Sequence, residues 1–255
     1  MVIITALALG LLVGVLLGLV GGGGSILAVP ALVYGVGLPL SSAIPTSLLV
    51  VGAASAVAVL PRLRRGVNWR LAAIIGGAGI ATAYLGTLVN RLLEPKVLLL
   101  AFAVIMVIAG VRMFRLTKAG GGPCALPGGG TNWRSCLPRA LATGAVVGFL
   151  TGLLGIGGGF LIVPALTLVL GLPMGMTIGT SLVVIVINSA AGFTAHLNDL
   201  DIDWAITGVF AAAAMAASLA AGRLGRRLPD VVLKRGFAIV VFAVAVYVTV
   251  QALTS

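Results

Sequence analysis

Gly21-Gly22-Gly23-Gly24-Ser25-Ile26-Leu27-Ala28-Val29-Pro30 interrupts an apolar run that begins at Val2. A counterpart, Gly155-Ile156-Gly157-Gly158-Gly159-Phe160-Leu161-Ile162-Val163-Pro164, interrupts a second apolar run later in the chain. A glycine cluster with a proline a few residues on makes a poor continuous helix, because glycine costs backbone entropy and proline removes a donor. The flanking sequence is long and apolar enough to cross a bilayer. In lipid, a broken helix is tolerated only where protein or a polar cavity covers it. Paired breaks in corresponding positions of two halves point to a central site between those halves.

Composition agrees with a bilayer setting. Of 255 residues, 60% are hydrophobic and only 8% are charged, and the mean hydropathy is +1.25. A soluble domain carries roughly 25% charged residues, so this chain cannot cover a soluble surface and reads as an all-α polytopic membrane protein. The net charge of +11 does not indicate nucleic acid, because the lysines and arginines flank apolar runs as topology determinants do. The 37 glycines suit close helix approach in lipid. Gly14 and Gly18, on one helix face, and Gly148 and Gly152 are expected to be packing seams. Val2 to Val20 lacks a basic leader and a cleavage site, and is read as a retained span.

About eight transmembrane helices are expected, four long ones per half, with the short segment from Ser25 to Val36 acting as half of a broken helix or one arm of a re-entrant hairpin. The chain divides into a first repeat over 1–118, a hydrophilic linker over 119–138 and a second repeat over 139–255. The duplication is legible at a constant spacing: Gly21 with Gly155, Pro30 with Pro164, Leu38-Pro39 with Leu172-Pro173, and Thr46-Ser47-Leu48 with Thr180-Ser181-Leu182. After a one-residue shift, Trp69 matches Trp204. Arg62, Arg64, Arg65 and Arg70 make one loop basic, whereas its counterpart carries His196, Asn198, Asp199, Asp201 and Asp203. The last loop is basic again, with Arg223, Arg226, Arg227, Lys234 and Arg235. Basic loops prefer the cytoplasm, so corresponding loops face opposite sides, as in an inverted-topology repeat. Cys124 and Cys136 fall in the linker, where a disulfide is disfavoured if the linker is cytoplasmic.

No carboxylate lies mid-span, since Glu94, Asp199, Asp201, Asp203 and Asp230 all fall at loops or helix ends. There is no catalytic triad, metal-ligand cluster or phosphate-loop motif, so no enzyme, metal or cofactor is expected. What remains for a site is backbone N–H groups and hydroxyls. A helix starting after a glycine cluster offers unpaired N–H groups and a positive dipole end, which suit an anion. The candidate substrate-binding residues are Gly21, Gly22, Gly23, Gly24, Ser25, Thr46, Ser47, Gly155, Gly157, Gly158, Gly159, Thr180, Ser181 and Asn188, with Pro30, Pro45 and Pro164 as helix-break residues. The threonine-serine pairs serve equally to satisfy carbonyls freed by the breaks. Replacing Gly23 or Gly157 by valine is expected to impair transport. Arg62 to Arg65 read as topology anchors, and His196 as an interface residue.

These motifs resemble the TauE/SafE sulfite exporter family, also called the 4-toluene sulfonate uptake permease family. The resemblance rests on Gly18-Leu19-Val20-Gly21-Gly22-Gly23-Gly24-Ser25 with Pro30, on Gly152-Leu153-Leu154-Gly155-Ile156-Gly157-Gly158-Gly159 with Pro164, and on Gly179-Thr180-Ser181-Leu182. It covers nearly the whole chain. The first copy departs in having Ser25 for the last glycine, and Pro45 stands where the second half has Gly179. The resemblance implies an integral protein of the prokaryotic cytoplasmic membrane that moves sulfite, organosulfonates or related sulfur-containing or carboxylated anions, coupled to a proton gradient. Its partners would be a small anionic substrate and the lipid bilayer, not nucleic acid. The alternatives from other classes are an anion-selective channel-like pore and a non-transporting membrane subunit. Saturable, coupled transport separates the first reading from the pore. The glycine-rich faces leave oligomeric state open.

Overall fold

The apolar run Val2–Val20 forms the first helix, α1, and it ends at the glycine cluster because Gly21 turns the chain with φ +83°. That left-handed conformation is costly for a side chain but accessible to glycine. The computed structural model describes residues 2–63, 66–90, 92, 95–115, 133–154, 159–195, 202–225 and 227–254. The helices that follow are α2 (Gly23–Pro30), α3 (Leu40–Val59), α4 (Trp69–Asn90), α5 (Pro95–Arg115), α6 (Trp133–Leu154), α7 (Gly159–Pro164), α8 (Met174–Ala195), α9 (Trp204–Gly225) and α10 (Asp230–Thr254). Among the described residues, six helices are long and apolar enough to cross a membrane. Helix α6 takes in the last residues of the 119–138 stretch read as linker.

Pro30 and Pro164 do not end their segments. Each is followed by wider π-type turns, over Ala31–Val36 and Ala165–Val169. Both then close alike: Gly37 and Gly171 adopt positive φ, and the N–H groups of Leu38 and Leu172 donate to the carbonyls of Leu32 and Leu166 at 3.0 and 3.2 Å. A proline cannot donate to the preceding turn, and the wider turns absorb the disruption. The duplicated sequence thus yields duplicated backbone.

Small residues decide how the helices pack. On α1, Gly10 lies against Phe210 and Ala213 of α9, Gly14 against Ala214, and Gly18 against Ser218 and Ala221. On α6, Gly144 lies against Ile75 and Ala78 of α4, Gly148 against Gly79 and Thr82, and Gly152 against Ala83. In both pairs the residue numbers rise together, so the helices are parallel. A Cβ at any of these glycines would press on the neighbour's backbone, so the expected seams are close-contact seams. Each half's opening helix packs along the third long helix of the other half.

Two further directions follow from contacts. Gly52 of α3 meets Ser189 of α8, while Leu48 meets Gly192, so α3 and α8 run antiparallel. Helix α2 folds back along α1: Gly24 sits against Val13 and Leu17, and Gly35 further on sits against Leu9. The short post-glycine segment is therefore the return arm of a hairpin. Cys136 is buried within α6 and disulfide-bonded, contrary to the expectation for a cytoplasmic loop. Burial shields the sulfur from the thiolate attack that would reduce it. Cys124 lies outside the described residues.

Candidate functional site

The two glycine breaks meet. Gly22 packs against Gly159 and Phe160, Gly21 against Ser181 and Ile178, and Gly159 against the Ser25 hydroxyl and Ile185. A Cβ at Gly22 would overlap the Gly159 carbonyl, and one at Gly21 would come within 2.8 Å of Ser181 Oγ. Glycine is required here because main chain crosses main chain. From Gly21 to Ser25, every residue is buried.

The half-helices leave this crossing in opposite directions. Helix α2 runs back toward Leu9 of α1. The segment from Gly159 passes from Ile185 to Thr167, whose hydroxyl lies 3.4 Å from Thr177 Oγ1, so it runs toward the start of α8. Ile178 and Ser181, near that start, border Gly21 at the end of α1, so the two directions diverge. Both half-helices point their N-termini at the crossing. First-turn N–H groups have no partner in their own helix, and the dipole leaves partial positive charge there.

Two hydroxyls, those of Ser25 and Ser181, border the crossing, and both are engaged. Ser25 Oγ donates to the Gly22 carbonyl at 2.7 Å, which closes the first turn of α2. Ser181 Oγ donates to the Ile178 carbonyl at 2.9 Å, and its counterpart Ser47 donates to Ile44 at 2.8 Å. Thr180 Oγ1 accepts from the Asn68 N–H at 3.0 Å. These bonds fit the reading in which hydroxyls satisfy local backbone groups. Thr46 differs: it is fully buried, and its Oγ1 has no partner among the described residues. Asn188 Oδ1 is also buried without a partner there, one turn beyond Ile185.

Of the candidate residues, the structure brings Gly21, Gly22, Ser25, Gly159 and Ser181 together. Gly23 and Gly24 open α2. Gly24 is wedged on α1, but Gly23 has ordinary space around it, with Val20 and Val240 at 3.5 and 3.6 Å from a Cβ placed there. Pro45 lies inside α3 without ending it. Gly155, Gly157, Gly158, Cys124, His196, Asn198, Asp199, Asp201 and Glu94 lie outside the described residues. Among the described residues, no group of three or more His, Cys, Asp or Glu could hold a metal ion.

Sequence reasoning missed two residues. Asn68 donates its backbone N–H to the Thr180 hydroxyl, and its side chain caps the start of α4 by accepting from the Leu71 N–H at 3.2 Å. Arg62, read as a topology anchor, is only 5% exposed and donates from Nη1 to the Gly18 carbonyl at 3.2 Å. The signal for Arg62 was its place directly after Pro61 at a helix end, where the duplication sets His196 opposite it.

Comparison with known proteins bears on the whole chain. The family model described as "Sulfite exporter TauE/SafE" matches residues 6–248. A "Probable membrane transporter protein" of Xylella fastidiosa strain 9a5c is 36% identical over 261 residues, covering 96% of this chain and 94% of that protein. A similarly described protein of Bacillus subtilis strain 168 is 28% identical over 85% of each chain. One of Methanocaldococcus jannaschii is 36% identical over 44% of each.

Proposed function

The chain belongs to the TauE/SafE sulfite exporter family of membrane transporters, and on that premise we propose that it is a secondary transporter of small anions, working by alternating access at its two glycine-rich breaks. It is an integral protein of the cytoplasmic membrane. The observation that carries the reading is the crossing of the breaks, where Gly22 lies on Gly159 and two half-helix N-termini converge. Convergent dipole ends and backbone N–H groups favour an anion without a fixed cation. Moderate contacts of this kind let a substrate leave as well as bind. The binding set in this reading is Gly21 to Ser25 and Gly155 with Gly157 to Gly159, assisted by Thr46, Ser47, Thr180, Ser181 and Asn188.

The two repeats, residues 1–118 and 139–255, are inverted in this proposal. Support comes from α3 and α8, which correspond in sequence yet run antiparallel in contact. A two-fold axis along the membrane normal would make such a pair parallel. With α2 as a return arm, each repeat has five segments, an odd number, which inversion needs. In each repeat the opening helix and its return arm then enter and leave on one side, and the three long helices that follow give the odd number of net crossings. Alternating access follows if one repeat rocks against the other around the crossing.

The substrate class proposed is sulfite, organosulfonates and related sulfur-containing or carboxylated anions, with proton coupling. The test is uptake by purified protein in liposomes. Sulfite, small sulfonates, sulfoacetate, sulfate and simple carboxylates are compared with and without an imposed proton gradient. Saturable uptake of one anion, raised by the gradient, is expected. Uptake that never saturates would instead indicate a pore.

A further inference from the structure

The two repeats stand in different states. At the start of α4, the Asn68 N–H donates to Thr180 Oγ1 of α8 at 3.0 Å. The duplication pairs Asn68 with Asp203, each directly before its tryptophan, and Thr180 with Thr46. The local structure keeps the first pairing: Asn68 Oδ1 accepts the Leu71 N–H, and Asp203 Oδ1 accepts the Ile206 N–H, three residues on in both cases. Thr46 Oγ1, fully buried, has no such bond and no partner among the described residues. We propose that Asn68 and Thr180 latch the anion pathway shut on the basic face, the end of the bundle where Pro61, Arg223 and Arg227 line one cavity, and that Asp203 and Thr46 are the matching latch of the opposite face, open in this structure. This rests on the inverted-repeat transport reading above and gives it named gates.

Exposure along the pathway agrees. Ser181 and Asn188 are seven residues apart and share a face of α8, the face that Ser181 turns to Gly21. Asn188 lies on the side away from the basic face and is half-buried. The counterparts on α3 are Ser47 and Ala54, and Ala54, toward the basic face, is 0% exposed. One turn further along each helix, Gly192 is half-buried, whereas its counterpart Ala58 is fully buried. Helix α9 closes this end. Ser218 Oγ donates to the Ala54 carbonyl at 2.9 Å, and a Cβ at Gly222 would come 3.2 Å from the Ala58 carbonyl. Arg62 adds a tie between α3 and α1 there, donating to the Gly18 carbonyl.

The asymmetry is written in the sequence. A Cβ at Gly179 would overlap the Gly66 carbonyl, so glycine lets the segment from Gly66 to Asn68 seat on α8. The corresponding residue in the first half is Pro45, whose ring fills that approach. The counterpart latch therefore closes less tightly, which favours the state seen. Each rocking step exchanges one bond from N–H to hydroxyl for its counterpart, so the two states stay close in energy, as alternation between them requires. In the open state the Thr46 hydroxyl is available to a substrate entering from that side, and the Asp203 N–H takes it when that side closes.

The test uses cysteine-less full-length protein in liposomes. Asn188→Cys should react with an impermeant maleimide from the face opposite the arginines, and Ala54→Cys should be protected from both faces. Adding Thr180→Val should slow the first reaction and speed the second from the basic face, each roughly twofold to tenfold, the shift expected for one hydrogen bond. Gly179→Ala should act in the same direction, because its methyl group unseats the same segment. Thr180→Ser keeps the acceptor and should label as the parent does. Combining Thr46→Val with Thr180→Val removes both acceptors and should return the pattern toward the parent, whereas a fold that was merely loosened would expose Ala54→Cys further. Unchanged labelling in both Thr180→Val and Gly179→Ala overturns the latch, as does Ala54→Cys that already reacts from the basic face in the parent. Uptake of the anion panel by the wild-type chain is read separately. Uptake with unchanged labelling keeps the transport reading and removes the latches, and shifted labelling without uptake of any anion keeps the latches and removes the transport reading.

Discussion

Neighbouring glycines at the first break should respond in opposite ways to the same methyl group. At Gly22, the added Cβ would overlap the Gly159 carbonyl oxygen and lie 3.1 Å from Phe160 Cα. Both are main-chain atoms of the other half, so neither can rotate aside. Overpacking of this kind costs about 1–3 kcal/mol. At Gly23, the nearest atoms are Val20 Cγ1 at 3.5 Å and Val240 Cγ1 at 3.6 Å, an ordinary contact. Gly23 is the first residue of α2, where alanine gains at most about 0.8–1 kcal/mol over glycine. Gly22→Ala and Gly23→Ala should therefore differ in stability by roughly 1–4 kcal/mol, the sum of those two effects. Thermal unfolding of the purified variants in one detergent measures the difference, and uptake in liposomes shows whether the crossing is the pathway. The expected result is a destabilised, transport-poor Gly22→Ala beside a stable Gly23→Ala. Equal stability of the two, or a less stable Gly23→Ala, would refute the main-chain crossing.

Other outcomes follow from the same geometry. Gly148→Leu should leave little folded protein, because its side chain would meet Gly79 backbone and Thr82, whereas Gly77→Ala, with nothing within 4 Å, should be stable in the same thermal assay. Thr180→Val removes the acceptor of the Asn68 N–H and should cost about 1–3 kcal/mol for the stranded donor, with Thr180→Ser close to wild type. Thr46→Val, by contrast, removes an oxygen with no partner among the described residues. It should be neutral in unfolding, and a loss of uptake in that stable variant would place Thr46 at the substrate. In a cysteine-less background, cysteines at Gly66 and Arg227 should react with an impermeant maleimide from one side of the membrane, and a cysteine at Leu92 from the other. Labelling at Arg227 from the same side as at Leu92, its counterpart loop in the first half, would remove the proposed inversion.

Much of the fold was legible because bilayer constraints are written in local sequence. The span Val2–Val20 could be read to the residue, and α3 began at Leu40 as expected, since apolar length, glycine and proline act on their own neighbourhoods. The breaks were legible for the same reason. Their meeting was not. That Gly22 lies on Gly159 depends on which helix α1 chooses as partner, and Gly10, Gly14 and Gly18 show only that some backbone comes close. A stripe of small residues states the distance of a neighbour and not its identity.

The odd-number problem raised by inversion shows where local reading stops and geometry begins. Four long spans per half gave an even count, which contradicted the opposed charges of the corresponding loops. Sequence placed Ser25 to Val36 below full spanning length but could not give its direction. The contacts of Gly24 with Leu17 and of Gly35 with Leu9 supply it: the segment returns along α1, so α3 can start again at the end where α1 began. The extra reversal comes from a feature that also makes the site. A helix that stops at a glycine cluster must either continue or turn back, and turning back leaves its own N-terminus buried at the crossing. In a duplicated chain whose copies are inverted, that happens once from each side. The break that permits inversion and the N–H groups proposed to hold the anion are then one structural event, and residues such as Gly22 and Gly159 answer to both demands.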